Sequence, residues 1–245
     1  PRDSLPPVMI GALPKDSALN VAAPKITITF DEFIELKNAN ENILIAPYPV
    51  KMPVTEYKLK TVTIRLKDSL LPNTTYVIDF GNAIADLNES NVLKNFKYVF
   101  STGNRIDTNT LSGRIVNAEN GKTDSTFFAL LYRKQEDSTV VKEKPVYVTR
   151  VKSNGTFQFT NLPEGPFYVY ALHDADGDKK YSQLSETFAF LDSSVEVGTK
   201  TSSVQLFAFA AEKEKPRRAA VAPDKPGTVK RLTYTSNLET GAQEL

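Results

Sequence analysis

The sequence predicts an all-β chain built of tandem antiparallel β-sandwiches. Three observations carry that expectation. Apolar and polar residues alternate with period two in a series of short runs. Pro, Gly and Asn punctuate the gaps between the runs. The most helix-like stretch, residues 31–38 (DEFIELKN), is about two turns long, too short to stand alone. Strands spaced this closely, with no helices between them, fit stacked sheets rather than βαβ units.

The first series of runs occupies residues 1–103. Ile26, Ile28 and Phe30 share one face of a run whose other face is threonine. Val62, Ile64 and Leu66 repeat the pattern, as do Tyr76, Ile78 and Phe80, and then Phe96, Tyr98 and Phe100. Period two with β-branched and aromatic enrichment is the signature of a half-buried strand. Residues 31–38 are read as a helical turn between two strands. Leu71-Pro72-Asn73, Phe80-Gly81-Asn82 and Ser101-Thr102-Gly103 supply the turn chemistry,. A polar stretch over residues 102–110 marks the domain boundary. The second series, residues 104–211, has strand-like runs at 111–116, 126–132, 146–151, 156–159, 167–172, 187–191 and 204–209. Two domains of about 100 residues match the usual size of a sandwich.

Composition narrows the function. The chain has 245 residues, 30 Lys+Arg, 29 Asp+Glu, one His and no Cys or Trp. Without Cys there are no disulfides, thiolate zinc sites or cysteine nucleophiles. A single His, His173, rules out a multi-histidine metal centre. A formal charge of +1 argues against a nucleic-acid partner, which needs a basic surface. An apolar fraction of 40% is enough to build cores, yet no run of about 18 apolar residues exists to span a membrane as a helix.

The ends read differently from the body. The chain starts at Pro1 without an initiator Met and is read as a processed product. Its Pro-rich lead is expected to be a tether or an extended edge. Residues 212–231 (EKEKPRRAAVAPDKPGTVKR) hold seven Lys/Arg, three Asp/Glu and three Pro. This composition reads as a solvated linker over 212–228. Without residues 212–231 the chain has 23 basic and 26 acidic residues. The β-branched run that opens 229–245 is expected to be the first strand of a further domain, truncated here.

Two passages carry a resemblance. The first comprises Ile28 to Ile34, Asn42 to Pro47, Leu71 to Tyr76, Phe80 to Asp86 and Phe100 to Gly103. It resembles the bacterial Ig-like domain of Bacteroidetes envelope proteins and, more distantly, of S-layer proteins, over about residues 5–103. The second comprises Leu111 to Ala118, Asn154 to Phe159 and Leu162 to Tyr170. It is similar to the prealbumin-like sandwich that serves as the regulatory domain of carboxypeptidases, over about residues 105–210. The resemblance implies an exported lipoprotein, often anchored in the outer membrane through a cysteine that would lie just upstream of Pro1. It also implies O-glycosylation at Asp-Ser tripeptides, present here at Asp3-Ser4, Asp16-Ser17, Asp68-Ser69, Asp124-Ser125 and Asp137-Ser138, although turns favour Asp and Ser anyway.

The sharpest local chemistry is His173-Asp174-Ala175-Asp176-Gly177-Asp178-Lys179-Lys180, with Glu186 downstream. Calcium takes oxygen ligands from flexible loops, and alternate positions of a tight loop converge on one point. Asp174, Asp176 and Asp178 have that spacing. The Lys180 carbonyl and Glu186 would complete the set. Gly177 is at position 4 rather than 6, and helices do not flank the loop, so it is not an EF-hand. Three carboxylates so close repel one another unless neutralised. Lys179, Lys180 and solvent are the alternatives to calcium, and an acidic hairpin loop is the plain reading. No other cofactor is expected.

Catalysis has little support. There is no Gly-x-Ser-x-Gly elbow,, and a serine triad would have to use His173. Asp31, Glu32 and Glu35 sit beside a turn, where acidic residues are at home. The expected function is therefore non-catalytic. It is that of a structural or docking module of an outer-membrane or cell-surface lipoprotein, accessory to an outer-membrane β-barrel machine or transporter. The alternative is a calcium-dependent carbohydrate-binding or adhesion module, with Tyr48, Tyr57, Tyr132, Tyr147, Tyr168 and Tyr170 as candidate stacking rings. A docking subunit would show a large apolar patch. A lectin would show an exposed aromatic platform beside the acidic loop.

Overall fold

The computed structural model describes residues 4–135, 139–183, 186–198 and 203–210. The linker over 212–228 and the run over 229–245 lie outside the described residues. Pro1–Ala211 forms one unit and Glu212–Leu245 a second, and the fold below is that of the first.

The N-terminal domain stacks small sheets. Its strands are β1 (Met9–Leu13), β2 (Lys25–Phe30), β3 (Ile34–Leu36), β4 (Leu44–Ala46), β5 (Val54–Lys58), β6 (Thr61–Arg65), β7 (Thr75–Asp79), β8 (Ile84–Asp86) and β9 (Lys97–Ser101). One sheet runs β1-β2-β6-β5, a second β4-β7-β9, and β3 pairs with β8. The alternation dictates what each sheet buries. Ile26, Ile28 and Phe30 of β2 and Val62 and Ile64 of β6 meet Ile45, Tyr76, Ile78, Tyr98 and Phe100 from the opposite sheet in one core. Tyr76 stacks on Phe100, with ring centroids 5.0 Å apart.

The expected helical turn over residues 31–38 is misplaced. Residues 34–36 are strand β3, paired with β8 from Ile34↔Asp86 to Leu36↔Ile84. The short helix comes later, at α1 (Ala39–Asn42). Ile34 is buried in the core, and Asn38 sits in the left-handed region at φ 46°, which ends the strand and turns the chain. The local DEFIELKN pattern suits a helix, but the burial of Ile34 favours the strand.

The C-terminal domain is one nearly closed sheet. It contains β10 (Asn109–Asn117), β11 (Phe127–Tyr132), β12 (Tyr147–Arg150), β13 (Thr156–Leu162), β14 (Gly165–His173), β15 (Thr187–Phe190), β16 (Val195–Val197) and β17 (Val204–Ala210). The order is β12-β11-β14-β15-β17-β10-β13, with β16 on β14. The end strands approach each other, and the Thr149 hydroxyl donates to the Gln158 carbonyl at 3.2 Å. One pair departs from the antiparallel expectation: β10 and β17 run parallel, from Gly113↔Val204 to Asn117↔Ala208. Inside lie Leu111, Ile115, Phe157, Phe159, Phe167, Val169 and Leu206. Short runs of the β10 and β17 kind fix which side chains face inward. They do not fix strand direction, which pairing partners decide.

The two domains share a third apolar cluster. Leu44 of β4 packs with Leu130 and Tyr132 of β11, Val148 of β12 and Leu172 of β14, and Tyr48 packs against the group. The Tyr48 N–H donates to the Val146 carbonyl at 2.7 Å. The Arg150 guanidinium donates to the Glu41 carbonyl, and the Lys144 ammonium to the Val50 carbonyl at 3.1 Å. Thr75 and Asp107 exchange two hydrogen bonds of 2.9 and 2.8 Å. The sheet β4-β7-β9 therefore has one face on its own core and part of the other on the second domain.

One buried group in this cluster lacks a partner. Among the described residues, the Tyr132 hydroxyl is buried without a hydrogen bond, and burial raises its pKa well above that of a free phenol, with Tyr170 adding to the effect. An unpaired buried hydroxyl costs about 1–3 kcal/mol. Tyr132→Phe is therefore expected to raise unfolding free energy by about 1 kcal/mol, read by urea denaturation. A drop of similar size would mean that the hydroxyl has a partner after all.

Candidate ligand site at the domain junction

The acidic loop follows β14 directly and wraps around its own carboxylates. The Asp174 Oδ1 accepts the Gly177 N–H at 3.0 Å. Asp176 Oδ1 accepts the Asp178 N–H at 3.2 Å, while its Oδ2 accepts from the Ser182 hydroxyl at 2.9 Å and the Gln183 amide at 3.0 Å. Gly177 adopts φ 83° and Lys179 φ 61°, a left-handed pair of positions that only glycine enters freely. His173 is the last residue of β14, and its ring meets Phe127 edge-on at 5.9 Å.

Glu186 closes the loop from below. It is fully buried. Its two oxygens accept backbone N–H groups from Ala175 at 3.2 Å, Ser182 at 2.9 Å and Gln183 at 3.1 Å. A carboxylate is the one side chain with enough lone pairs to satisfy three donors arriving from two sides.

Asp174, Asp176 and Glu186 each place an oxygen within 4.8 Å of the others. That spacing suits a cation with oxygen ligands at about 2.3–2.6 Å. Asp178 is not part of the group. Its Oδ1 instead accepts the Lys180 N–H at 2.6 Å. Burial raises the Asp178 pKa, and the neighbouring Asp176, Asp174 and Glu186 charges add to the rise. Asp176 goes the other way, its pKa lowered first by the Gln183 amide. The Lys180 ammonium reaches the Lys142 carbonyl at 2.8 Å.

The loop carries its own cation. The Lys179 ammonium lies 2.5 Å from Asp174 Oδ2, with the Asp174 side chain fully buried. It also sits 4.2 Å from the centre of the Phe128 ring. Of the neutralisers considered from sequence, Lys179 is the one that reaches a carboxylate. The contribution of Phe128 is not readable locally, because it comes from β11 across the sheet.

This loop forms one wall of a cleft of about 950 Å³. Ile43, Leu44, Tyr48 and Met52 of the first domain, with Phe128 and Lys144 of the second, line the rest. Burial raises the Tyr48 pKa, with Asp174 and Asp178 adding to it. Clefts between domains are the usual place for a ligand. The other candidate residues serve the fold. Asp31 Oδ1 accepts the Val8 N–H at 2.8 Å, and Glu35 pairs with Lys37 at 2.9 Å. Tyr132 and Tyr147 are buried, and Tyr57 is exposed on β5. Ser4, Ser17, Ser69 and Ser125 are exposed, whereas Asp137-Ser138 lies outside the described residues.

Comparison with known proteins defines the first domain. Its stacked small sheets are those of a bacterial Ig-like domain, and the profile of that family matches residues 3–102. No family is assigned to the second domain, and no curated protein matches the chain. Among solved structures, the chain is similar to an L,D-transpeptidase from Mycobacterium smegmatis, at 12% identity over 67% of this chain and 76% of that one, with a TM-score of 0.29. It is similar to BcpA*(D312A), the major pilin subunit of Bacillus cereus, at 12% identity over 82% and 70%, with a TM-score of 0.26. It is also similar to the S-layer protein rSbsC(31-844), at 17% identity over 86% of this chain and 26% of that one, with a TM-score of 0.30. At these scores the likenesses carry no argument about function.

Proposed function

We propose that this chain is a non-catalytic structural and docking module of an exported envelope lipoprotein. It would be held at the outer membrane or cell surface by a lipid anchor upstream of Pro1 and would accompany an outer-membrane β-barrel machine or transporter. The observation that carries the reading is the junction between the domains. Leu44, Tyr48 and Arg150 lock two β-domains into one unit, as a spacer that positions a partner requires. The bacterial Ig-like match over residues 3–102 supports a place on the cell surface. Affinity purification of the full-length protein from membranes is expected to recover one β-barrel partner in stable stoichiometry. A solitary, freely released protein overturns the reading.

A second reading is a calcium-dependent carbohydrate-binding or adhesion module. The convergence of Asp174, Asp176 and Glu186 favours it. Calcium at about 100 times its dissociation constant would add about 2.7 kcal/mol to stability, so the melting temperature is expected to rise in calcium and fall in EDTA. Equal melting temperatures in the two buffers remove the site. Glycan-array binding that vanishes in EDTA would favour this reading over the first.

A further inference from the structure

The sheet of the second domain is apolar on both faces. Inward-facing residues build the core, and an ordinary one-sided sheet would then turn polar residues outward. Here the outward residues of β14, β15 and β17 include Tyr168, Tyr170, Phe188, Phe190, Phe207 and Phe209, and none of the outward positions on these strands is charged. Phe190 is 40% exposed, Phe207 56% and Phe209 38%. Tyr170, Phe188, Phe190 and Phe209 form a continuous surface. Phe188 lies 4.6 Å from Phe209 and 6.0 Å from Phe190, and the planes of Phe188 and Phe190 are only 13° apart. Tyr170 stands 6.4 Å from Phe190 at 30°. Exposed apolar patches of this kind mark interaction sites.

The same face continues into an interface that the fold already makes. Over β11 and β12 the first domain covers it with Leu44 and Tyr48. Past it, Val140 and Tyr181 carry the packing as far as Phe188, and among the described residues Phe190, Phe207 and Phe209 stand exposed beyond. We propose that a second copy of this chain covers the exposed part, the two β15–β17 surfaces meeting face to face about a twofold axis. Two facts favour a second copy. A twofold contact sets each surface against itself, which a charge-free patch allows and a charged one opposes. Charge depletion with aromatic enrichment is also the composition of an interface centre. The inference goes beyond the docking reading, because self-association needs no barrel partner.

Sedimentation equilibrium of the full 245-residue chain tests it. The wild-type protein is expected to show a reversible monomer–dimer equilibrium. Phe209→Glu is expected to halve the mass at the same concentration while leaving the circular dichroism spectrum unchanged. A mixture of Phe209→Glu and Phe209→Lys is expected to regain the dimer, which a misfolded variant cannot do. A wild-type chain that stays monomeric to its solubility limit overturns the proposal, and so does a dimer that survives Phe209→Glu. A monomer that binds glycans through Phe190 and Phe209 overturns it in favour of a saccharide platform. None of these results alters the membrane purification, so a monomer that still recovers a barrel partner sinks only the dimer.

Discussion

Gly113→Val is expected to destabilise the second domain by about 3 kcal/mol or more, and Gly113→Ala by about 1–3 kcal/mol. Gly113 lies mid-strand in β10, opposite Phe157 on one side and Val204 on the other. A Cβ built there would stand 2.4 Å from the Phe157 ring and 2.6 Å from the Val204 carbonyl oxygen. Moving the ring carries a cost, but the carbonyl belongs to the ladder that joins β10 to β17 and cannot yield without weakening it. Gly11→Ala is the control, because its Cβ would meet nothing within 4 Å, and a change within about 0.5 kcal/mol is expected. Guanidinium denaturation reads both. A Gly113→Val protein as stable as the wild type would mean that β10 and β17 do not pack as described.

Glu186→Ala is expected to cost about 2–4 kcal/mol, because it leaves three backbone N–H groups without an acceptor. Glu186→Gln retains one acceptor oxygen and turns an amide donor towards the remaining N–H, so an intermediate loss is expected. Both changes are also expected to abolish any calcium-dependent rise in melting temperature. Asp178→Asn separates the two roles, since Asp178 lies outside the converging group. Its raised pKa means that the folded protein holds the proton more tightly than the unfolded chain does. Ionised Asp178 therefore opposes folding at neutral pH, and that opposition fades as pH falls through its folded pKa. Asp178→Asn is expected to leave the calcium response intact and to flatten this part of the pH profile. Loss of the calcium response in Asp178→Asn would restore Asp178 as a ligand.

Much of the fold is legible along the chain. The alternation in Ile26-Thr27-Ile28-Thr29-Phe30 marks β2 and names its buried face, and the same holds for β6 and β9, whereas β7 is buried on both faces. Two of the strands that sequence reading misses escape it for different reasons. β5 (VTEYK) is half-exposed to exposed along its length, so burial imposes no apolar period on it. β3 is three residues long, shorter than any periodicity can declare. The loop chemistry is only partly readable. The Asp-x-Asp-x-Asp spacing points to Asp174 and Asp176, but whether the third carboxylate joins them depends on backbone turns at Gly177 and Lys179. It is Glu186, delivered from the far side of the loop, that joins the group.

By itself the sequence determined the all-β class, the faces of the main strands, the place of the acidic loop and the absence of cysteine chemistry. These are properties of neighbours along the chain, set by period, turn residues and composition. Only the tertiary structure decided that β10 and β17 run parallel, that Lys179 rests between Asp174 and Phe128, and that Leu44 and Tyr48 bind the domains together. It also decided which aromatic residues face outward on a sheet with two apolar faces. A period-two pattern says that two faces differ. When both faces carry large apolar side chains, as on β14, local pattern cannot tell core from surface, and the choice falls to whatever packs against each side.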